Sequence, residues 1–287
     1  GQRIWNSINT YLIPALGNYP VTELTAPIVI KVIKPIEANS TEIARRLCQR
    51  INEVMTFAVN TGLIITNPLA GIKDAFGTTI TKHNPTILPE ELPKLMDDIN
   101  YSGMNRVTRC LVEWQLHTMA RSAVCACAKW DEIDFKNKQW VIPASKMKMK
   151  REHTIPLSEQ SLEILERLKP ISGHWEYIFP AHKRLSGHIN SEAVNNALKR
   201  MGYKNKLTAH GMRSLASTTL NEQGFDFDVV EMALAHVEKN QTRKAYNHAE
   251  YLERRRVMMA WWSEHIEHSQ NGIVQSKNII NLKAKYV

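Results

Sequence analysis

Between Trp130 and Leu157 the spacing of apolar residues leaves the three- and four-residue steps of a helix for the two-residue step of a strand. Residues 130–135 (WDEIDF) and 139–143 (QWVIP) flank Lys136-Asn137-Lys138 and read as a hairpin. A third strand, His153-Thr154-Ile155-Pro156-Leu157, follows after the basic run Lys146 to Arg151 (KMKMKR). That run is therefore expected as a turn projecting from a small sheet, placed to probe a phosphate or a groove. A solvated loop is the plainer alternative. The rest of the chain is helical in its spacing, so the expected class is mainly α with one small antiparallel β-sheet.

The first 75 residues read as all-helical. Ile28 to Ile33 is β-branched and could be a strand on local propensity, but its context favours a helix limited by Pro35. Asn39-Ser40-Thr41-Glu42 offers N-cap chemistry, and Ile43, Leu47, Ile51, Val54, Met55 and Ala58 then mark one helical face, with Gly62 placed to end it. Arg45, Arg46, Gln49 and Arg50 are left for the polar face. Turn formers without periodicity over residues 76–85 read as a linker. Further helices are expected at Pro89–Ile99, Arg106–Met119, Ser158–Leu168, Ser191–Met201 and Ala249–Ile266, the last very basic at Arg254-Arg255-Arg256. Trp175, Tyr177 and Phe179 are expected to anchor the irregular stretch 173–190. The organisation is thus a helical domain (1–75), the linker (76–85), a second domain (86–268) and a polar tail (269–287) that either docks on a neighbouring copy or stays disordered.

Lys and Arg number 37 against 28 Asp and Glu. This favours a polyanionic partner, nucleic acid first and an anionic membrane surface second, with an ordinary basic soluble protein as the alternative. Cys48, Cys110, Cys125 and Cys127 form no C-x-x-C pair, and three lie in apolar helical context. Buried free thiols in a reducing compartment are expected, without disulfide or zinc. No stretch of about 18 apolar residues occurs, so no membrane span is expected. The chain opens on Gly1 rather than Met, and a preceding N-terminal piece is expected.

The stretch from Leu207 to Tyr246 carries the chemistry. Thr208 can cap a helix whose first turn holds His210 and Arg213, three residues apart on one face and at an end that favours anions. Alone, such a pair is weak evidence. Gly224 can end that helix, and Asp226 or Asp228 can cap another that ends near His236. Tyr246 follows ten residues on. A phenol with an unperturbed pKa of about 10 is a poor nucleophile. It becomes usable where cationic groups surround it and the phosphate beside it. His210, Arg213, His236 and Arg121 can supply that setting.

The order Arg, Lys, His-x-x-Arg, Leu-x-His, Tyr resembles the tyrosine recombinases, or phage-type integrases, and most closely those of prophages and genomic islands. The pieces are TMARSAVCACAKWDEID around Arg121, KMKMKREHTIPLS around Lys148, LTAHGMRSLASTTLNEQGF at His210 and Arg213, LAH at His236, and TRKAYNHAEYLERRRVMMAWW at Tyr246. The resemblance covers about Thr86 to His268, and more loosely the first domain, which looks like the family's core-site DNA-binding domain. It implies a helical core-binding domain, a mixed α/β catalytic domain, and cleavage and rejoining of double-stranded DNA attachment sites through a 3′-phosphotyrosyl link. Tyr246 would be the nucleophile, Arg121 and Arg213 the phosphate clamps, and Lys148 the acid for the leaving oxygen. His210 would be an acid/base, and His236 a hydrogen-bonding partner of the phosphate. The resemblance also implies no metal or other cofactor, a homotetramer at a Holliday junction, both domains clamping the duplex, accessory DNA-bending or directionality factors, and a bacterial cytoplasmic site.

Lys146 and Lys150 rival Lys148, and Tyr251 rivals Tyr246 less closely because it lies too far from His236. The family pattern has an acidic residue three positions after the first arginine, and this chain has Val124. That departure puts the orientation of Arg121 in question. It is the feature that supports an architectural DNA-binding relative with a weak site. A type IB topoisomerase-like enzyme is the other alternative, disfavoured by the small helical first domain.

Overall fold

The computed structural model describes residues 2–78, 84–181, 187–236 and 248–270. The chain divides into two compact units, Gly1–His83 and Asn84–Val287.

The first unit contains α1 (Gln2–Tyr11), α2 (Ile13–Leu16), α3 (Ala26–Glu37) and α4 (Thr41–Asn60). Ile28 to Ile33 lies within α3, as context favoured. Val29 and Ile33, four residues apart, are fully buried, and that shared face outweighs β propensity. Pro27 sits in the first turn, where its missing N–H costs nothing, and Pro35 in the last, two residues before the helix stops. On α4 the Ser40 hydroxyl accepts the Ile43 N–H at 3.3 Å. The other end closes on Gly62 (φ 75°), with N–H donation from Gly62 to Val59 (3.0 Å) and from Leu63 to Ala58 (2.9 Å). The arginines of α4 divide in two. Arg45 donates to the carbonyls of Lys73, Phe76 and Gly77 at 3.2–3.3 Å and is a structural tie. Arg46 and Arg50 pair with Glu42 (2.5 Å) and Glu53 (2.8 Å) on the surface, links worth about 1 kcal/mol or less.

The second unit runs α5 (Leu92–Tyr101), α6 (Arg106–Thr118), α7 (Ser122–Ala126), β1 (Ile133–Asp134), β2 (Gln139–Ile142), β3 (His153–Pro156), α8 (Glu159–Ser172), α9 (Ala193–Leu198), α10 (Gly211–Glu222), α11 (Phe227–Ala233) and α12 (His248–Gln270). The strands form one antiparallel sheet in the order β1-β2-β3, with Trp140 opposite Ile133 on one side and Ile155 on the other. The first strand is shorter than expected. Trp130–Glu132 is a single 3-10 turn, because the Trp130 indole N–H is drawn to the Ser172 carbonyl (2.9 Å) on α8. The Asp134 carboxylate then starts the hairpin turn at once by accepting both the backbone N–H (2.9 Å) and the side-chain amide (2.6 Å) of Asn137. The helix expected at 191–201 is also shorter, because at Lys199 it widens into one π turn that closes on Gly202 (φ 92°).

Trp114 of α6 lies at the centre of the core, with its ring 5.2 Å from Trp140 and 6.3 Å from Phe179. Around it pack apolar faces of α5, α6, α8, α9, α10, α11 and α12. Phe179 is buried, whereas Trp175 and Tyr177 are half-buried. The four cysteines are free, with Cys48, Cys110 and Cys125 buried and Cys127 half-buried. Among the described residues no helix is long and apolar enough to cross a membrane.

The three consecutive arginines of α12 are held in different ways. Arg255 is only 2% exposed and donates to the Thr154 carbonyl on β3 (2.8 Å). Arg254 pairs with Asp226 at 2.5 Å, and Arg256 bonds Glu253 (3.3 Å) and the Lys138 carbonyl (3.5 Å). The Trp262 indole donates to the Leu116 carbonyl (2.8 Å), and Ser263 bonds both His117 (2.9 Å) and Ser158 (2.8 Å). These bonds tie α12 to α6, to β3 and to Ser158, the cap of α8.

Two imidazoles are held neutral by this packing. Burial, with Arg167 nearby, pulls His117 down to about 3, and burial, with Arg255 as its strongest charged neighbour, does the same to His153. In the unfolded chain each takes a proton below about pH 6.5. Between pH 6.5 and 3 the unfolded state therefore binds more protons, and stability falls as pH falls. At pH 5.5 each histidine costs about 1.4 kcal/mol, so the pair costs roughly 3 kcal/mol relative to pH 7.5. Urea unfolding followed by tryptophan fluorescence reads this difference. A His117→Asn, His153→Asn double variant should lose most of the pH dependence.

Candidate active site

The start of α10 is set by its own sequence. The Thr208 hydroxyl accepts the Gly211 N–H at 2.9 Å, so Thr208 caps the first turn although the regular helix begins at Gly211. Gly211 has no substitute: a Cβ there would come within 2.1 Å of the Pro85 carbonyl oxygen. The Pro85–Thr86 backbone runs directly against it, and the Thr86 hydroxyl donates to the Gly211 carbonyl (2.8 Å). This packing leaves His210 exposed at the helix lip and turns Arg213, 4% exposed, into the protein.

Arg213 is held by backbone carbonyls. It donates to Met119, the residue after α6, and to Leu234, the residue after α11 (2.6 Å). Met119 adopts a left-handed conformation (φ 53°) that ends α6. Helix α11 is capped at its start by Asp226, whose carboxylate accepts the Asp228 N–H at 2.8 Å. It ends in the same closure as α4 but with Ala235 (φ 51°) in the place of a glycine. Ala235 N–H donates to Met232 and His236 N–H to Glu231, both at 3.0 Å. Arg121, just before α7, donates to the Ala235 carbonyl at 3.4 Å. Two arginines thus sit on consecutive carbonyls at the negative end of α11. Met119 and Ala235, two of the non-glycine residues in a left-handed conformation, offer their carbonyls to this pair.

His236 emerges at the same helix end, its Nδ1 2.9 Å from a Glu231 carboxylate oxygen. His210 interacts electrostatically with Arg213, Arg121 and His236, and partial desolvation of its ring at the helix lip, together with these three, keeps its imidazole below its ordinary range. It is therefore neutral near pH 7. Burial, and Arg121 next to it, pull the Arg213 guanidinium down to about 10, which leaves it charged. Arg121, His210, Arg213 and His236 thus form one cluster of groups suited to an anion.

The β2–β3 connection passes beside this cluster. Met147 lines a small cavity together with Arg121, Val124, His153 and Arg213. The next residue, Lys148, is exposed and has no hydrogen-bond or ion-pair partner among the described residues. Lys146 is committed elsewhere, to the buried Glu132 and to the Cys127 carbonyl. Lys150 is exposed in a left-handed conformation (φ 49°). Tyr246 lies outside the described residues. Tyr251 is half-buried at the start of α12, its ring centroid 5.5 Å from the Arg254 guanidinium.

A family model described as "Phage integrase family" matches residues 85–253, and one described as "Phage integrase central domain" matches residues 1–75. The chain belongs to the phage integrase family. It is 48% identical to the prophage integrase IntA of Escherichia coli K12 over 272 residues, covering 94% of this chain and 66% of that protein. It is 33% identical to the integrase of enterobacteria phage P4 over 303 residues, covering 100% of this chain and 69% of that protein. The chain spans about two thirds of the length of these relatives. A lambda integrase tetramer bound to a Holliday junction shares the fold, with TM-score 0.64 at 18% identity over 85% of this chain and 70% of that one. Membership of the integrases sets the class of activity, site-specific DNA recombination.

Several features of this integrase site escape a sequence reading. Glu231 could be suspected only by placing it one turn before His236. His153, whose Nε2 is buried without a partner, reads as a strand residue. The carbonyls of Met119, Leu234 and Ala235 carry no side-chain signal. Val124 is buried in an apolar setting, and no carboxylate lines the cavity beside it among the described residues. No group of three or more metal-ligating side chains occurs among the described residues.

Proposed function

We propose that the chain cuts and rejoins double-stranded DNA at attachment sites and thereby integrates and excises a mobile element. The observation that carries this reading is the arginine pair on consecutive carbonyls at the end of α11, with His210 and His236 beside it. Arg121 and Arg213 would grip the non-bridging oxygens of the scissile phosphate and stabilise the charge of the pentacovalent state. The Tyr246 oxygen would attack phosphorus and give its proton to His210, whose neutral imidazole can accept one. The bond from phosphorus to the 5′-oxygen would break, with Lys148 protonating that oxygen and His236 hydrogen-bonding the phosphate. The 3′-phosphotyrosyl link retains the bond energy, so a 5′-hydroxyl from the partner duplex can reverse the step without ATP.

Residues 1–75 would bind the core site and 86–268 hold the chemistry, with 76–85 joining them and 269–287 as a tail. Four copies would assemble on a Holliday junction, as the lambda integrase tetramer does. Accessory DNA-bending or directionality factors would set the direction in the bacterial cytoplasm. The test is a nicked suicide duplex carrying the attachment core site. Wild type should accumulate a covalent protein–DNA adduct, and two such sites should yield Holliday junctions. No adduct on the correct site would leave only an architectural role, for which Val124 is the relevant feature. An adduct without junctions would point to a topoisomerase-like activity.

A further inference from the structure

Glu231 is the one carboxylate that the described structure sets directly against the cation cluster, and nothing in the motif order singles it out. It lies in the last turn of α11, one of its oxygens 2.9 Å from His236 Nδ1. It is also close enough to Arg213 to interact with its charge. Helix geometry fixes this arrangement. The chain leaves α11 through left-handed Ala235, and the His236 N–H returns to the Glu231 carbonyl at 3.0 Å. Residues 231 and 236 are therefore bonded through backbone and side chain alike.

We infer that Glu231 is a positioning residue for strand cleavage: it fixes the His236 ring and supplies the negative charge that Val124 cannot. With Nδ1 committed to Glu231, Nε2 is the nitrogen left to face a phosphate. A carboxylate on the opposite nitrogen also fixes the ring's tautomer and its rotation about Cβ–Cγ. At position 124 a carboxylate would have neighboured Arg121 inside the small cavity, where this chain offers only apolar side chains, His153 and the arginines. Glu231 instead stands near the end of the helix after which the carbonyls of Leu234 and Ala235 hold both guanidinium groups. It thus joins the histidine and the clamp to a single rigid turn.

This inference rests on the recombinase reading, and the experiment separates the two. Glu231→Ala, Glu231→Gln and, as a control, Glu222→Ala at the exposed end of α10 are compared with wild type on the suicide duplex. Glu231→Ala should slow single-turnover cleavage 10- to 100-fold while core-site affinity and the unfolding midpoint stay at wild-type values. Glu231→Gln, which keeps an acceptor oxygen without the charge, should recover part of that loss, and Glu222→Ala should match wild type. Nitrogen-15 shifts of His236 should show Nδ1 protonated in wild type and a mixture of tautomers in Glu231→Ala. Wild-type cleavage by Glu231→Ala would overturn the inference alone, as would equal losses of affinity and rate. Failure of wild type to form any adduct would overturn the recombinase reading itself.

Discussion

Tyr246→Phe should bind the core-site duplex with wild-type affinity and form no covalent adduct at all. The substitution removes one oxygen atom and leaves the ring. Duplex affinity comes mainly from phosphate contacts made by basic side chains, which the change leaves in place. Cleavage requires a nucleophile bonded to phosphorus, and no water-mediated route yields the same protein-linked product. Tyr251 is the residue that could confuse the outcome, being five positions further along. Its ring is half-buried on α12 and packed with the Arg254 guanidinium, which is itself paired to Asp226. Moving its oxygen to a phosphate at the Arg121–Arg213 pair would require unpacking the first turn of a helix tied to β3 through Arg255. Tyr251→Phe should therefore cleave within about threefold of wild type, in line with a small packing change. Gel analysis of radiolabelled suicide duplex reads both variants. An adduct from Tyr246→Phe, or its loss in Tyr251→Phe, would move the nucleophile.

Local chemistry made much of this molecule readable from its residues. Ser40, Gly62, Gly224 and Asp226 announce helix ends because capping uses one side chain or one left-handed residue and its near neighbours. The class of fold followed from the single change of apolar spacing. The motif order brought out Arg121, His210, Arg213 and His236, and the structure gathers those four. What escaped was determined by contacts distant in sequence. Arg213 meets the carbonyl of Met119, 94 positions earlier, and Arg255 meets that of Thr154, 101 positions earlier. Successive helical positions point about 100° apart, so three consecutive arginines span roughly 200° of the helix surface, and only the fold decides which of them faces the core. Arg255 is that one. Strand β1 was overread for a similar reason, since alternation cannot register a tryptophan drawn to a helix carbonyl or an aspartate that opens the turn early.

Arg213→Lys should lower the single-turnover cleavage rate by about 10² to 10³-fold, the range expected when one preorganised donor to a developing oxyanion is lost. The guanidinium at this position already serves two masters. One nitrogen donates to Met119 and another to Leu234, which fixes the plane of the group before DNA arrives. Its remaining N–H donors are then aimed without any reorganisation at the moment of reaction. An ammonium has its donors on a single atom at the end of a flexible stem and cannot reproduce that fork. If it satisfies one carbonyl it abandons the other, at a cost of about 1–3 kcal/mol for a buried acceptor left unpaired. If it turns to the phosphate it abandons both. The lysine variant should thus be somewhat less stable, still folded, and able to bind the core site with close to wild-type affinity, because one phosphate contact among many is altered. Arg213→Ala is the poorer test, since it adds a cavity and two unpaired carbonyls to the loss of charge. Arg121→Lys provides the contrast. Arg121 is half-buried and holds one carbonyl through a longer bond of 3.4 Å, so the lysine there should cost less in stability than at 213. Cleavage by Arg213→Lys within threefold of wild type, in a protein shown to be folded by its unfolding curve, would remove Arg213 from the phosphate clamp and leave it as a strut between the ends of α6 and α11.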